Sequence, residues 1–289
     1  MRLLLTALAR TPLAVLYAYG WVVYAITFHV LRWRRDQVAD DIALAFPDKT
    51  PAERGDILRK SYRNLADVVM ETIWGLGASA ERLKDRVVFE NPEIIERGAA
   101  AGQSVVLLAP HFCNWEWLLS GGGATFELPI DAVYQTLRVR SVDRYLREAR
   151  SRFGGKPIPR EDFVYELMNR AGTPRGYALI ADQTPPRDEK KHWSRFLHRD
   201  TAFFVGAEKV ARFLDARVLY VGMRRVRLGH YSVRFTSLAE PPYDIASERD
   251  DYSPVMEGFA RHLERAIQDS PADWLWLQKR WKYPKPEMP

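Results

Sequence analysis

The sequence contains very little of what would define a cysteine, metal or serine site. Cys113 is the only cysteine among 289 residues, so an intramolecular disulfide is excluded and a cysteine-based zinc site would lack ligands. No pair of histidines has the HExxH spacing, and no serine stands in a GxSxG motif. The sequence therefore offers neither the usual helical zinc ligands nor the usual nucleophilic serine.

Acidic residues are also fewer than basic residues. Lys and Arg number 43 against 37 Asp and Glu, which gives a net charge of +6. Such an excess is compatible with nucleic acid, an anionic membrane surface or an acidic protein partner. Nine tryptophans and thirteen tyrosines favour the membrane surface, because both residue types suit the lipid–water interface. We expect no nucleic acid partner.

Charge is missing entirely from one N-terminal stretch. The 21 residues between Arg10 and Arg32 carry no charged side chain, and this length is enough to cross a hydrocarbon core of about 30 Å as a helix. Its tyrosines and tryptophan also suit a helix lying in the interface, and a buried core helix is the third alternative. The arginines that follow favour a cytoplasmic location for the rest of the chain. We expect a membrane anchor over residues 1–35 and a single domain over residues 36–289.

The pattern after the anchor predicts an α/β fold. Apolar residues spaced by one, three and four positions between Ile57 and Ile73 predict a long amphipathic helix. Short apolar runs then alternate with helical segments, which predicts a mainly parallel sheet flanked by helices. The expected strands are VVF, SVVLLAP, IDAVYQ, GYALIAD and ARVLYVGM, with YSVRFTSL as an antiparallel edge strand. The expected helices are Ser141–Phe153, Arg160–Arg170, Thr201–Leu214 and Asp251–Asp269.

The stretch HFCNWEW, residues 111–117, carries the first candidate site. His111 ends a buried strand, and Asn114 can cap a helix that starts near Trp115. A turn between them would let Glu116 face the imidazole, which is the base-and-orienter half of a catalytic triad. Since no serine nucleophile accompanies them, the attacking hydroxyl would come from a substrate. Cys113 as a nucleophile is the alternative, although a small packing residue is the commoner role.

Two further polar clusters follow. Asp182 and Gln183 come after an apolar run and before two prolines, where they could bind a substrate hydroxyl or phosphate, or stabilise the loop. Arg147, Arg150 and Arg152 precede a Gly-Gly break. Arginine suits phosphate and carboxylate groups, but a solvated helix face is the commoner explanation.

Taken together, these segments resemble the lipid A biosynthesis acyltransferases, the late lauroyl and myristoyl transferases of Gram-negative envelopes. The resemblance covers almost the whole chain. It rests on the apolar N-terminus and on the segments IALAFPDKTPAER, RNLADVVME, HFCNWEW, YQTLRVRSVDRYLREARSRFG, ADQTPP, DTAFFVGAEKVARFLDARVL and WLWLQKRWK. It implies a glycerolipid-acyltransferase-like α/β fold.

The resemblance also implies an activity. The family moves a fatty acyl chain from acyl carrier protein to a hydroxyl of the lipid A precursor at the inner membrane, on the cytoplasmic side. No cofactor is required, because the thioester supplies the driving force. His111 would be the general base with Glu116 as its partner, and Asn114, the 112–114 amides or Arg150 would stabilise the oxyanion.

The resemblance assigns less specific roles to three other residues. Asp182 and Gln183 would lie in a functional loop, and Arg280 would meet a precursor phosphate.

The basic segment RDEKKHWSRFLHRD after ADQTPP departs from the family pattern, so a different glycolipid or phospholipid acceptor is the nearest alternative. A hydrolase and a non-catalytic membrane-anchored binding protein are the remaining hypotheses.

Overall fold

The computed structural model describes residues 2–137, 139–243 and 252–286. Its α-helices are α1 Arg2–Ala9, α2 Leu13–Ala25, α3 Arg35–Ala45, α4 Pro51–Gly75, α5 Ala80–Lys84, α6 Glu93–Ala100, α7 Trp115–Thr125, α8 Arg140–Arg150, α9 Phe163–Arg170, α10 Gly206–Leu214 and α11 Pro254–Asp269. A π-helical segment Ile26–Val30 continues α2. Short 3₁₀ turns cover Ser151–Phe153, Arg160–Asp162 and Pro271–Asp273.

The strands form one large sheet and one hairpin. They are β1 Val87–Phe89, β2 Val105–Ala109, β3 Ile130–Tyr134, β4 Pro157–Pro159, β5 Gly176–Ile180, β6 Lys191–Phe196, β7 Arg199–Phe204, β8 Arg217–Arg227 and β9 His230–Ala239. Within the described residues, seven strands pair in the order β1-β9-β8-β2-β5-β3-β4, and β6 pairs with β7 alone. Every neighbouring pair in the large sheet is parallel except β8 with β9. The predicted mainly parallel sheet flanked by helices is confirmed.

Local sequence explains the central strand and the longest helix. All five residues of β2 are buried, as an apolar strand covered by helices on both faces must be. Helix α4 begins with a capping box, in which Thr50 accepts from the Glu53 amide and Glu53 accepts from the Thr50 amide. Pro51 occupies the first turn, where its missing N–H removes no helical bond. The predicted amphipathic helix is therefore confirmed, and it runs further in both directions.

Two predictions were wrong in detail. The expected helix Thr201–Leu214 starts only at Gly206, because residues 199–204 pair with β6 in an antiparallel hairpin. The strand containing YSVRFTSL is antiparallel to β8 as expected, but it is not an edge strand. Its other side pairs in parallel with β1, whose residues lie about 145 positions earlier in the chain. The first residue of the expected helix Asp251–Asp269 lies outside the described residues.

The apolar N-terminal segment packs on the rest of the chain. Residues 13–30 are long and apolar enough to cross a membrane, yet Leu13, Leu16, Tyr24 and Phe28 are buried as part of the hydrophobic core. Their spacing of three, four and eight positions places them on one face, which lies against α4. The division of the chain at residue 35 stays a prediction.

Candidate active site

His111 lies in a tight turn that joins β2 to α7. Pro110 ends the strand, and the His111 carbonyl accepts from the Leu275 amide at 3.0 Å. The next residue, Phe112, forms a bridge with Trp274, and Cys113 has a left-handed backbone with φ of 52°. Residues 274 and 275 of the C-terminal segment thus hold the turn in place through backbone contacts. A histidine held this rigidly at the end of a parallel strand is in the usual position for chemistry in such sheets.

The partner of the His111 ring is Asp182. Strands β2 and β5 are parallel neighbours with Ala109 opposite Ile180, so the residues that follow them meet at the same edge of the sheet. His111 Nδ1 lies 2.8 Å from Asp182 Oδ1, and the His111 amide donates to Oδ2 at 3.0 Å. None of the residues that the structure describes hydrogen-bonds His111 Nε2, and the side chain is 13% exposed. This nitrogen is therefore available to a substrate.

Asp182 is fully buried but remains ionised. Burial by itself would raise the pKa of this carboxyl, but the charge and hydrogen bond of His111 oppose it, together with bonds from Trp274 and Gln278. The Trp274 and Gln278 side chains donate to Oδ2 at 2.8 and 3.1 Å. The net result is a pKa below the ordinary value. Asp182 therefore fixes the orientation of the imidazole through its hydrogen bonds to the ring and to the His111 amide. It is not placed to bind a substrate hydroxyl or phosphate, which corrects that expectation.

Glu116 does not occupy the position expected for it. Its carboxylate accepts from Arg150 Nε at 3.0 Å and Nη2 at 2.5 Å, a bidentate pair that joins the first turn of α7 to the end of α8. Burial would lower the pKa of Arg150, but the Glu116 charge and hydrogen bonds raise it above its ordinary value. The His111 ring is thus bound by Asp182, 71 positions away, and not by Glu116 as expected. The carboxylate follows the neighbouring strand β5 and does not come from the helix after His111.

Asn114 has a structural role. Its Oδ1 accepts from the Trp117 amide at 2.9 Å, which confirms the predicted helix cap. Its Nδ2 donates to Glu71 Oε2 at 2.7 Å, and the residue has no exposed surface. Since both ends of the amide are occupied, the expectation that Asn114 binds substrate or the oxyanion is corrected. Two amides of the same turn are occupied too, with Phe112 donating to Pro110 and Cys113 to Asp273.

The last two predicted residues differ in exposure. Gln183 is exposed beside Asp182, and its role stays a prediction. Arg280 is only 2% exposed, donates to the Ala202 carbonyl and lies over the Phe203 ring. Burial lowers the pKa of Arg280 to about 10, while the nearby Asp182 charge opposes that shift. Because the side chain is enclosed in protein, the expected contact with a precursor phosphate is corrected.

A buried polar cluster behind the turn was not predicted from the sequence. Glu71 of α4 has no exposed surface and accepts from Tyr17, Asn114 and Tyr231 at 2.6 to 2.7 Å. Its backbone carbonyl accepts from the Trp117 indole. The signal available in the sequence was a row of charged residues four apart on an otherwise amphipathic helix, Arg63, Asp67 and Glu71.

The alternatives based on Cys113 and on a metal gain no support. Burial raises the pKa of the Cys113 thiol well above its ordinary value, and the sulfur faces the Met223 carbonyl at 3.7 Å. A thiol kept neutral in this way is a poor nucleophile, so the predicted packing role fits. Over residues 2–137, 139–243 and 252–286, His, Cys, Asp and Glu side chains form no cluster of three or more that could bind a metal ion.

A mainly parallel α/β sheet with a histidine–carboxylate pair just beyond its strand ends is typical of an α/β enzyme with a candidate general base at that edge of the sheet. The chain belongs to the bacterial lipid A biosynthesis acyltransferase family, whose model matches residues 2–283. This membership confirms the resemblance seen in the sequence.

Individual relatives are distant but cover most of the chain. The chain is 24% identical over 262 residues to a lipid A biosynthesis acyltransferase of Haemophilus influenzae, covering 86% of this chain and 76% of the relative. It is 23% identical over 254 residues to the lipid A biosynthesis myristoyltransferase of Escherichia coli, covering 85% and 74%. A lipid A biosynthesis acyltransferase of Shigella flexneri is 22% identical over 267 residues, covering 87% and 78%.

Proposed function

We propose that this protein transfers a fatty acyl chain from acyl carrier protein to a hydroxyl of a lipid A precursor, on the cytoplasmic side of the inner membrane. Family membership supports secondary acylation in lipid A synthesis. The single observation that carries the catalytic proposal is the His111 imidazole, held through Nδ1 by the buried Asp182 carboxylate.

His111 is the general base in this mechanism. An alcohol is far too weak an acid to ionise near neutral pH, so Nε2 takes the proton of the acceptor hydroxyl while its oxygen attacks the thioester carbonyl. The resulting tetrahedral intermediate collapses with cleavage of the carbon–sulfur bond, and the leaving thiolate takes the proton from the imidazolium. Asp182 holds the proton of the resting ring on Nδ1 and stabilises the imidazolium between the two steps.

The first amides of α7 are our candidates for the oxyanion donors. A helix leaves its first N–H groups without intrahelical partners, and the amides of Trp115 and Glu116 follow His111 by four and five positions. The N-terminal end of the helix dipole also favours negative charge. The amides of Phe112 and Cys113 are less suitable, since both donate to backbone carbonyls.

The Glu116–Arg150 pair is our candidate for the acceptor side of the site. It lines a cleft between α4, α7 and α8, together with Thr72, Leu76 and Ser120. Two nitrogens of the guanidinium bind Glu116, and Nη1 has no hydrogen-bond partner in the part of the chain that the structure describes. A polar group of the acceptor could accept from that nitrogen.

Helix α8 is our candidate for the donor contact. Arg140, Arg144 and Arg147 are exposed on it at spacings of four and three, so they lie on one face of the helix. A row of arginines of this kind suits an acidic carrier protein and would increase the association rate more than the affinity.

The test compares two histidine variants. His111→Asn keeps a side-chain donor for Asp182 but removes the base, and His198→Asn changes an exposed histidine in the β6–β7 turn. We expect His111→Asn to lose nearly all transfer from acyl carrier thioester to the precursor, while His198→Asn keeps full activity. Normal turnover by His111→Asn would refute the assignment. Release of free fatty acid at the full rate without an acceptor would indicate a hydrolase instead.

A further inference from the structure

The apolar N-terminal helix has two faces with different surroundings. Its inner face is buried against α4, and a Cβ added at Gly20 would lie 3.2 Å from Met70 Cγ. Polar contacts fasten the same face: Tyr17 donates to Glu71 at 2.7 Å, and the Arg63 guanidinium lies 4.3 Å from the Trp21 ring. At the far end of the segment, the Phe28 ring lies 5.2 Å from that of Tyr62. The helix is thus attached to α4 along its whole length, antiparallel to it.

This attachment conflicts with a bilayer that surrounds the helix. Any lipid layer crossed by residues 13–30 would also enclose α4, which carries Arg63, Asp67 and Glu71 alongside them and the half-exposed Arg59 and Lys60 one turn further on. Charged side chains at the centre of a bilayer cost about 2.5–3.5 kcal/mol each even on the lowest scale. In addition, Glu71 links the helix directly to Asn114, so a spanning helix would carry the turn of His111 into the hydrocarbon.

The outer face of the helix has the composition of a membrane contact. Its exposed large apolar residues recur every three or four positions, while Trp21, 58% exposed, lies at the border of the inner face under Arg63. They are Val15, Tyr19, Val22, Ile26 and Val30, at 43% to 73% exposure. This spacing forms a stripe parallel to the helix axis, and tyrosine and tryptophan suit the level of the lipid head groups. A helix with one apolar face and one covered face lies in the interface plane.

The tip of the β8–β9 hairpin lies beside the start of this helix. A Cβ added at Gly229 would meet the Tyr17 hydroxyl at 2.6 Å and Leu13 at 3.4 Å. The neighbouring Val226 and Leu228 are 57% and 47% exposed, and Arg227 between them is exposed as well. Two apolar side chains flanking an arginine at a hairpin tip suit shallow insertion below anionic head groups.

We propose that residues 13–30 lie along the surface of an anionic membrane without crossing it, and that the β8–β9 tip enters the same leaflet. Exposed arginines stand at each end of the apolar stripe, Arg10 before it and Arg32 after it, where they can bind lipid phosphates. This arrangement would place the His111 turn at the level of the membrane surface, where an acceptor hydroxyl on a lipid is accessible. The inference rests on the membrane association in the proposed function, but not on the acyl transfer chemistry.

Cysteine labelling tests the orientation of the helix in the full-length protein. Arg10→Cys and Arg32→Cys, made separately, place thiols at the two ends of the segment, and Asp200→Cys marks the catalytic domain at an exposed position. The unsubstituted protein supplies the background, because Cys113 is buried. In sealed inside-out inner-membrane vesicles, a membrane-impermeant maleimide is expected to label all three variants equally. Labelling of Arg10→Cys only after detergent, with the other two accessible, would overturn the in-plane arrangement.

Vesicle binding tests the hairpin tip. The double variant Val226→Asp, Leu228→Asp is expected to bind vesicles of phosphatidylethanolamine and phosphatidylglycerol roughly tenfold more weakly or worse. The matched control, Val164→Asp with Met168→Asp, removes two apolar residues of similar exposure from α9 and should bind normally. Equal binding by both double variants would overturn the role of the tip. Failure of the unsubstituted protein to bind any vesicle would overturn membrane association itself and leave the acyltransferase proposal intact.

Discussion

Replacing Asp182 with asparagine is expected to lower kcat for acyl transfer by about 10⁴-fold, the loss seen when the carboxylate of a catalytic triad becomes an amide. This corresponds to about 5.5 kcal/mol in activation free energy. The reason is visible in the four hydrogen bonds that Asp182 accepts. Oδ2 accepts from the His111 amide, Trp274 and Gln278, while Oδ1 faces His111 Nδ1 alone.

An asparagine must place its NH₂ group on one of these two sides. If the NH₂ group faced the three donors at Oδ2, all three of those hydrogen bonds would be lost. If it faces His111 Nδ1, the hydrogen bond is kept, provided that the ring changes tautomer so that Nδ1 accepts. The amide nitrogen is therefore expected to face Nδ1. That arrangement moves the ring proton to Nε2, the nitrogen that has to accept the proton of the substrate hydroxyl.

Steady-state kinetics with acyl carrier thioester and a lipid A precursor would measure the effect, with circular dichroism and a thermal melt as tests of folding. Asp273→Asn is the matched control, because Asp273 is also a carboxylate of the site region with little exposure (12%), and it is bound to Arg225 and Asn64 but not to His111. We expect kcat to fall for Asp182→Asn alone, with KM little changed. If a folded Asp182→Asn enzyme keeps more than about a tenth of its kcat, the tautomer argument is refuted.

Glu116→Gln is expected to weaken the bidentate bond to Arg150 and to raise KM for the acceptor more than it lowers kcat, at a cost of about 1–3 kcal/mol in binding free energy; a loss confined to kcat would favour direct contact with the base. Arg280→Met should leave KM for the acceptor unchanged, because Arg280 is enclosed in protein, and a large rise in that KM would restore the phosphate contact. Burial raises the pKa of Asp67 to about 6 from 3.8, with Arg63 and Arg225 opposing it, so its neutral form stabilises the fold at low pH and this contribution is lost as pH rises through about 6. In the folded protein this effect should lower the melting temperature between about pH 4 and pH 7, by the equivalent of about 3 kcal/mol in unfolding free energy. Asp67→Asn has no charge at any pH, so this decrease should be smaller in the variant; an unchanged pH profile of the melting temperature would contradict the role of Asp67.

Local sequence patterns were enough to predict the class of fold and the position of the candidate base. The all-apolar run 105–109 can only be a strand or helix buried on every side, and its flanking breaks made it a strand that ends at His111. Asn114 as a helix cap was likewise a local property, because the cap bond joins residues three positions apart. The stripe of α4 followed from helical periodicity alone.

Tertiary structure decided the partner of that base. Glu116 is five positions from His111 and Asp182 is 71 positions away, and only the pairing of β2 with β5 brings the distant carboxylate closer than the near one. The same holds for the burial of Arg280 and for the attachment of the apolar helix to α4. Sequence patterns report which side chains share a face of one element, but contacts between elements depend on strand order and helix packing, which no local pattern encodes.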